Sequence, residues 1–311
     1  VYEINILHKL SSSLPNGGKV LVSNNYLLNI EPLIDDWLEV LQTAIKTQED
    51  LVKDKNEFYM PFVAIPVPIV NAIFKITEHL DLAPDTRYIA VHLYDKFMCN
   101  YFWELYQTTE QTENSWFQVC QKISGQSKLY LMSCLQLASK MDSHSKNLRI
   151  SQVLNILQWI DKKSEYTHSL IFLSEYKVFK TVGFKMPFCT PLNCIEVLLA
   201  ATGLKDNPNM QELTTGLLDL VYLQRERLYS HFQCLIQGHI ARTQQEKRNL
   251  MTLESNVLFL GASIVLCGTF FSCINSDTAK VIAARLSELV DIQINDIWDM
   301  ANILLVMTIQ E

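Results

Sequence analysis

The stretch from Leu129 to Met141, LYLMSCLQLASKM, decides how the rest of the chain is interpreted. Wound at 3.6 residues per turn, it places apolar residues almost all round the helix, so it has no broad polar face for water. A helix of this kind lies at the centre of a helical domain, covered by other helices. The stretch therefore predicts an all-α fold with this segment as a buried central helix.

The segments on either side of this central helix have an amphipathic helical pattern. The stretch 82–107 is one such helix, with Asp85 placed to cap its N-terminus. Its apolar positions recur every four residues, at Ile89, Leu93, Phe97 and Tyr101. A later helix is expected to end at Gly183, where glycine suits a C-terminal cap.

The composition agrees with long helices. Glycine and proline number only nine each in 311 residues, which leaves few positions for the tight turns of sandwiches and barrels. Hydrophobic residues make up 49% and charged residues 19%, which excludes a disordered chain. The net charge of −7 argues against broad capture of nucleic acid by this chain alone.

The second half of the chain is also helical. It is expected to hold about five helices, the third of which is apolar all round, so that the two halves suggest a structural duplication. This third helix, Val257–Ile274, carries no charge over 18 residues, the lower limit for crossing a membrane. Its glycines and polar residues, and the lack of flanking basic clusters, favour a helix buried in a protein core.

Near the N-terminus, residues 30–51 predict one further helix after a polar, turn-rich linker at 11–19. Its apolar residues form one wide stripe: Leu33, Ile34, Trp37, Leu38, Val40, Leu41 and Ile45. The first ten residues lack the basic and then apolar pattern of a secretory signal. The stretch 61–69 contains three prolines, which exclude it from a helix interior.

The sequence contains no recognisable catalytic or cofactor motif. Phosphate-binding loops, dinucleotide fingerprints, zinc-protease motifs and nucleophile elbows are all missing from it. His231, Cys234 and His239 share one helical segment but lack further ligands for a metal. The eight cysteines form no CxxC pair, and several lie in apolar helical runs, which indicates reduced thiols. We therefore expect neither an enzyme nor a metal or cofactor site.

Three stretches, in this order, resemble the cyclin box. TRYIAVHLYDKFM at 86–98 is similar to the second helix of that box, and LMSCLQLASKM at 131–141 to its central helix ending in LASK. EYKVFKTVGFKMPFCTP at 175–191 is similar to the fifth helix and the proline that opens a second box. Within the family, the resemblance is strongest to a member that acts in meiotic crossover recombination.

The resemblance implies tandem five-helix cyclin boxes behind an N-terminal helix. The implied domains are an extension at 1–60, a first box at 61–187 and a second box-like domain at 188–311. The implied function is a regulatory subunit that binds, and activates, a cyclin-dependent kinase through the first box, in the cell cycle or in meiotic recombination. The same resemblance implies a nuclear location and a protein partner. The net charge argues against direct contact with nucleic acid, and the composition of Val257–Ile274 against a membrane span.

Six residues match the kinase-facing positions of cyclins. The polar contacts match Lys140 and Glu175, and the apolar contacts match Leu137, Phe179, Phe184 and Met186. Taken without the family, the favoured interpretation is that Lys140 is a solvated helix end and Glu175 a surface partner of Lys140 or Lys177. On the same interpretation, Phe179 and Phe184 are part of the core.

The substrate-docking patch of cell-cycle cyclins is degenerate in this chain. The matching stretch is IPVPI at 65–69, where Ile65 and Ile69 remain and Ala72 stands in the place of a tryptophan. The resemblance therefore does not extend to substrate docking through that patch. A second function stays open, in which the fold is a scaffold for recombination or chromosome-associated proteins and needs no kinase.

Overall fold

The computed structural model describes residues 31–53, 62, 65–109, 112–142, 146–162, 164–187, 190–239, 242–272 and 275–310. In these ranges the regular structure consists of thirteen α-helices and contains no strand. The all-α class expected from the sequence is confirmed. The linker predicted at 11–19, and Cys189 and Cys273, lie outside the described residues.

The chain divides into two compact units. We call Asp54–Thr190 the central unit, and the chain through Lys53 together with Pro191–Glu311 the split unit. The central unit contains α2 (Val67–His79), α3 (Pro84–Thr108), α4 (Glu113–Asp142), α5 (Ile150–Ile160) and α6 (His168–Thr181). The split unit contains α1 (Glu31–Lys53), α7 (Pro191–Ala201), α8 (Met210–Leu223), α9 (Arg225–Gln237), α10 (Gln244–Ser255), α11 (Val257–Phe271), α12 (Ser276–Val290) and α13 (Ile294–Ile309).

The domain boundaries expected at 60/61 and 187/188 stay predictions, because residues 54–61 and 188–189 are not described. The helix expected in the N-terminal extension does form, as α1. It belongs to the split unit. The described part of the C-terminal half holds seven helices, where the sequence suggested about five, and the all-round apolar helix is the fifth of them.

The core of the central unit is built around α4, which packs on α3 and α6. Buried side chains from these three helices fill it, among them Leu93, Phe97, Leu135 and Ile171, each fully buried. Helix α4 runs through Gly125 without a break, over 30 residues from Glu113 to Asp142. Gly125 is tolerated because one glycine costs a helix only about 1 kcal/mol relative to alanine.

The core of the split unit is built around α11. Every residue from Val257 to Thr269 is buried, as the apolar composition of that stretch predicts. Two glycines let its neighbours approach: a Cβ at Gly268 would lie 2.9 Å from the sulfur of Met210 on α8, and one at Gly261 would lie 3.4 Å from Cys194 Cβ on α7. Within the described ranges, no single helix is long and apolar enough to cross a membrane. Helices α10 and α11, which are bent by 63° where they meet, together have the length and the apolar composition of a membrane span.

Two side chains join α9 to α10 through a largely buried ion pair. Arg225 donates from Nη2 to the Glu254 carboxylate at 3.2 Å and to the Glu254 backbone oxygen at 2.9 Å. The guanidinium also lies over the Tyr229 ring at 4.9 Å. Burial raises the pKa of Glu254, and the charge of Arg225 opposes that shift. Arg225 is the first residue of α9, because the helical segment breaks at Gln224 between α8 and α9.

Helix α1 packs on α7, α10, α11 and α12 in the split unit. Its buried contacts are Ile34, Leu38, Leu41 and Ile45. Gln42 Nε2 also donates to the backbone oxygen of Leu289, at 3.0 Å. The wide stripe expected from the sequence is therefore two faces, of which only one is buried.

The N-terminus of α3 differs from the sequence prediction. Asp85 lies in the first turn, and Ala83 is the residue that precedes the helix. The Asp85 carboxylate instead accepts a hydrogen bond from Thr190 Oγ1 at 2.6 Å. Pro84 at the first helical position sets the start of the helix, because its fixed φ suits that position and its missing N–H would have no helical partner there.

Candidate functional site

Lys140 and Glu175, which are 35 residues apart in sequence, form an ion pair on the surface of the central unit. Lys140 lies in the last turn of α4, and its Nζ donates to Glu175 Oε1 on α6. The lysine side chain is 43% exposed and the glutamate 13%. The structure thus brings together the two polar residues that the sequence singled out, although an ion pair by itself suits a surface contact as well as a binding site.

The residues before Lys140 fix its position. Ala138 and Ser139 are fully buried. Ser139 Oγ donates to the backbone oxygen of Gln136 and accepts from the backbone N–H of Leu148, both at 2.9 Å. Ser139 thereby ties the chain after α4 to the end of that helix, so the serine of LASK has a structural role next to the exposed lysine.

Ser139→Ala is expected to lower the free energy of unfolding by about 1–3 kcal/mol, because it leaves the buried N–H of Leu148 without an acceptor. Urea unfolding would measure the loss. Ser127→Ala is the matched control, since Ser127 is on the same helix and its hydroxyl, which donates to Ser124 O, is exposed. Equal effects of the two substitutions would contradict the structural role of Ser139.

Helix α6, which carries Glu175, is held to its neighbours by polar contacts. Thr167 caps it by accepting from the N–H of Leu170, and Ser174 Oγ lies 2.9 Å from Ser133 Oγ of α4 in the core. Lys177 Nζ donates to Tyr130 OH at 3.0 Å and lies 3.8 Å from the centre of the Tyr101 ring. Lys177 is therefore engaged with these aromatic rings.

The surroundings of Tyr130 keep its phenol group neutral. Burial raises the pKa of Tyr130, and the neighbouring Tyr101 hydroxyl and Glu104 carboxylate raise it further. Tyr130 can then donate to Gln126 Oε1 at 2.8 Å while accepting from Lys177. A neutral hydroxyl that both donates and accepts fixes α6 against α4.

Helix α6 presents an aromatic face to solvent. Phe172 and Tyr176 are 61% and 54% exposed, and Phe179 is half-buried. Residues at spacings of three and four share one side of a helix, so these rings flank Glu175. We call Phe172, Glu175, Tyr176 and Phe179 the α6 face. Sequence reasoning missed Phe172 and Tyr176, because an apolar residue at helical spacing is usually a core residue.

The end of α6 adds one exposed ring in a strained backbone conformation. Gly183, with φ +69°, follows the C-cap residue Val182 at the position where a left-handed glycine commonly terminates a helix, as expected from the sequence. Phe184 follows with φ +59°, which is unfavourable for a residue with a Cβ. Its ring is 55% exposed and meets Phe179 edge to face at 5.1 Å. Strained residues of this kind cluster at binding sites.

The remaining predicted residues are less accessible. Leu137 and Met186 are half-buried. In the degenerate docking stretch, Ile65 is only 7% exposed, and Ile69 and Ala72 are half-buried. Pro66 precedes α2, and Pro68 lies in its first turn, where proline is tolerated.

Metal-ligand groups and cysteines in the described part of the chain bear on the expectations from the sequence. Among them, no group of three His, Cys, Asp or Glu side chains is placed to hold a metal, and no disulfide joins the six described cysteines. Of these cysteines, four are buried: Cys99, Cys134, Cys194 and Cys267. Burial raises the pKa of the Cys134 and Cys267 thiols, which disfavours the reactive thiolate.

Comparison with known proteins agrees with the resemblance in the sequence. No protein-family model matches the chain. The chain is 27% identical over 215 residues to a mouse protein, and that match covers 65% of this chain and 63% of the mouse protein. It is 26% identical over 213 residues to the human protein of the same name, covering 65% of this chain and 64% of the human protein. The chain thus spans less than two thirds of the length of the curated relatives it matches, and both carry the name cyclin N-terminal domain-containing protein 1.

Proposed function

We propose that this chain is a cyclin-like regulatory subunit that binds, and activates, a cyclin-dependent kinase. The binding surface is the Lys140–Glu175 pair together with the α6 face and Phe184. The single observation that carries the proposal is the position of this ion pair beside solvent-exposed aromatic rings. The names of the two relatives support the cyclin part of the proposal.

The surface has the physical properties of a docking site for a helix. Exposed aromatic rings gain free energy when a partner removes them from water, and aromatic anchors dominate protein interfaces. Lys140 uses one N–H on Glu175 and has two more to offer to backbone oxygens of a partner. Because the pair already forms in this chain, little conformational entropy remains to be lost on binding.

Activation would follow from selective binding. A kinase whose mobile helix alternates between two positions shifts toward the position that this surface binds more tightly. The chain would then contribute no catalytic group of its own. The extent of the shift depends on the difference between the affinities for the two kinase states.

The biological setting is proposed on the sequence resemblance alone. We propose that the chain acts in the nucleus, in control of the cell cycle or of meiotic recombination. The degenerate docking stretch around Ile65 and Ile69 argues that substrates are selected in another way. The scaffold function, without a kinase, is the second candidate and makes opposite predictions in the experiment that follows.

The proposal is tested by binding of the full chain to a panel of purified cyclin-dependent kinases, measured by biolayer interferometry. Lys140→Ala and Glu175→Ala are each expected to weaken binding at least tenfold, because hydrogen bonds to charged groups contribute about 1.5–3 kcal/mol. Phosphorylation of a peptide substrate by the same mixtures would measure activation.

Lys128→Ala is the matched control for these variants. Lys128 is also on α4, is 46% exposed, and pairs with Asp161 at 3.3 Å. The Lys128→Ala variant should bind the kinase with the same affinity as the unaltered chain. Unchanged binding by both Lys140→Ala and Glu175→Ala would refute the proposed surface. Failure of every kinase to bind, while another nuclear protein copurifies, would favour the scaffold.

A further inference from the structure

Helix α1 carries a second apolar face that the split unit does not cover. Leu33, Trp37 and Val40 are 60%, 57% and 56% exposed. They follow one another at spacings of four and three, so they form a continuous stripe over two turns. We call these three residues the outer face of α1. Exposing a tryptophan, a leucine and a valine side by side is costly in water, and such patches mark interaction sites.

The outer face is held in place by the opposite side of the helix. Ile34, Leu38, Leu41 and Ile45 are each at most 8% exposed and anchor α1 to the split unit. The hydrogen bond from Gln42 to the backbone oxygen of Leu289 adds a polar contact. A partner would therefore meet a preformed surface and lose little free energy in ordering it.

The charges beside the outer face select the partner. Asp35, Asp36 and Glu39 are exposed, and the sequence has no lysine or arginine between 31 and 45. On a helix, Asp36 lies beside the stripe and Glu39 follows it one turn later. Acidic residues also suit the N-terminal part of any helix, but that effect does not account for the neighbouring exposed tryptophan.

We propose that the outer face of α1 docks an amphipathic helix of another protein, with lysine or arginine residues flanking its apolar stripe. The apolar residues of that helix would cover Trp37 and its neighbours, and its basic residues would face Asp36 and Glu39. A two-fold dimer of this chain through the same face would bring like charges together, which disfavours a second copy. A stripe of two turns corresponds to a small interface and so to a weak, transient complex.

This surface shares no residue with the proposed kinase surface, because α1 belongs to the split unit and Lys140 to the central unit. The two proposals therefore fail independently. Lys140→Ala should leave binding at the outer face unchanged, and Trp37→Ser should leave the Lys140–Glu175 pair intact.

The test uses a fluorescein-labelled helical peptide of about 18 residues, long enough for a stable amphipathic helix. It has leucines at heptad spacing flanked by lysine and arginine, and a second peptide carries glutamate at every basic position. Fluorescence anisotropy with the full chain is expected to show saturable binding of the basic peptide. Trp37→Ser should weaken that binding at least tenfold, and Asp36→Lys with Glu39→Lys should reverse the preference to the acidic peptide.

Trp159→Ser is the matched control, because Trp159 on α5 is 79% exposed and belongs to the other unit. It should bind the basic peptide like the unaltered chain, and circular dichroism should show unchanged helix content in both tryptophan variants. Several results would overturn the proposal: no saturable binding, equal binding of both peptides, or equal losses in the two tryptophan variants. Self-association of the chain that Trp37→Ser abolishes would identify a second copy as the occupant and would overturn it as well.

Discussion

Replacing Arg225 by leucine is expected to lower the free energy of unfolding by about 3–5 kcal/mol, because it leaves a buried carboxylate without its partner. In the native chain, Arg225 is 10% exposed and Glu254 17%, so water compensates neither charge well. The substitution also removes the hydrogen bond to the Glu254 backbone oxygen and the contact with the Tyr229 ring. Differential scanning calorimetry would measure the loss as a lower Tm.

The stability lost in Arg225→Leu should depend on pH, because the protonation of Glu254 determines how large the loss is. Burial raises its pKa in the folded state and Arg225 opposes the rise, so the pKa rises further in Arg225→Leu. A carboxyl with a raised folded pKa favours folding when it is protonated, and that contribution disappears as the pH climbs through the folded pKa. The penalty of Arg225→Leu should therefore be larger at neutral pH than at a pH near the ordinary value for glutamate.

Two further variants test whether the stability lost in Arg225→Leu comes from the buried charge of Glu254. Arg225→Leu combined with Glu254→Leu should recover part of the stability, because no charge then remains buried. Arg285→Leu removes an exposed pair with Glu288 at 3.6 Å and should cost about 0–1 kcal/mol. A penalty for Arg225→Leu that is small and constant with pH would show that Arg225 has no such role.

Phe97→Ala is expected to cost about 3–5 kcal/mol, the usual loss when a buried phenylalanine is truncated and leaves a cavity. The Phe97 side chain is fully buried. Its ring stacks on Tyr101 at 5.5 Å and contacts Tyr130 at 4.8 Å. These are the rings that hold Lys177, so the variant should also loosen α6.

Phe117→Ala on α4 is the control for this variant. Its ring is 62% exposed, and its removal should change the stability by no more than about 0.5 kcal/mol. Urea unfolding of both variants would give the comparison, and hydrogen exchange would report protection of α6. If Phe97→Ala lost less than 1 kcal/mol, the aromatic cluster would not be the core of the central unit.

The positions of the most regular helices could be predicted from the sequence, because those signals are local. LYLMSCLQLASKM and Val257–Thr269 are apolar on almost all sides. Val257–Thr269 is buried throughout, and the first stretch is buried except at Leu137, Lys140 and Met141. The pairing of Lys140 with Glu175 depends on how α4 and α6 pack, which the local sequence does not show. The sequence analysis singled out these two residues through the family resemblance, and a simple surface pair was the alternative interpretation.

Other features have no local signal. The break at Gln224 between α8 and α9 occurs without a glycine or proline, so a helical pattern runs through it. Leu33 and Ile34 are equally apolar, yet one is exposed and the other buried. Which side of α1 is covered depends on helices from Pro191 onward, and a periodic pattern does not contain that information.

The membership of α1 in the split unit constrains how the chain is made and how it can be shortened. During synthesis α1 leaves the ribosome before all of Asp54–Thr190, and its packing partners follow only afterwards. Until then Ile34, Leu38, Leu41 and Ile45 lack their native cover, an interval in which a chaperone could bind them. A fragment that begins at Asp54 would lack α1, so the helices from Pro191 onward would lose one of the helices that pack on them.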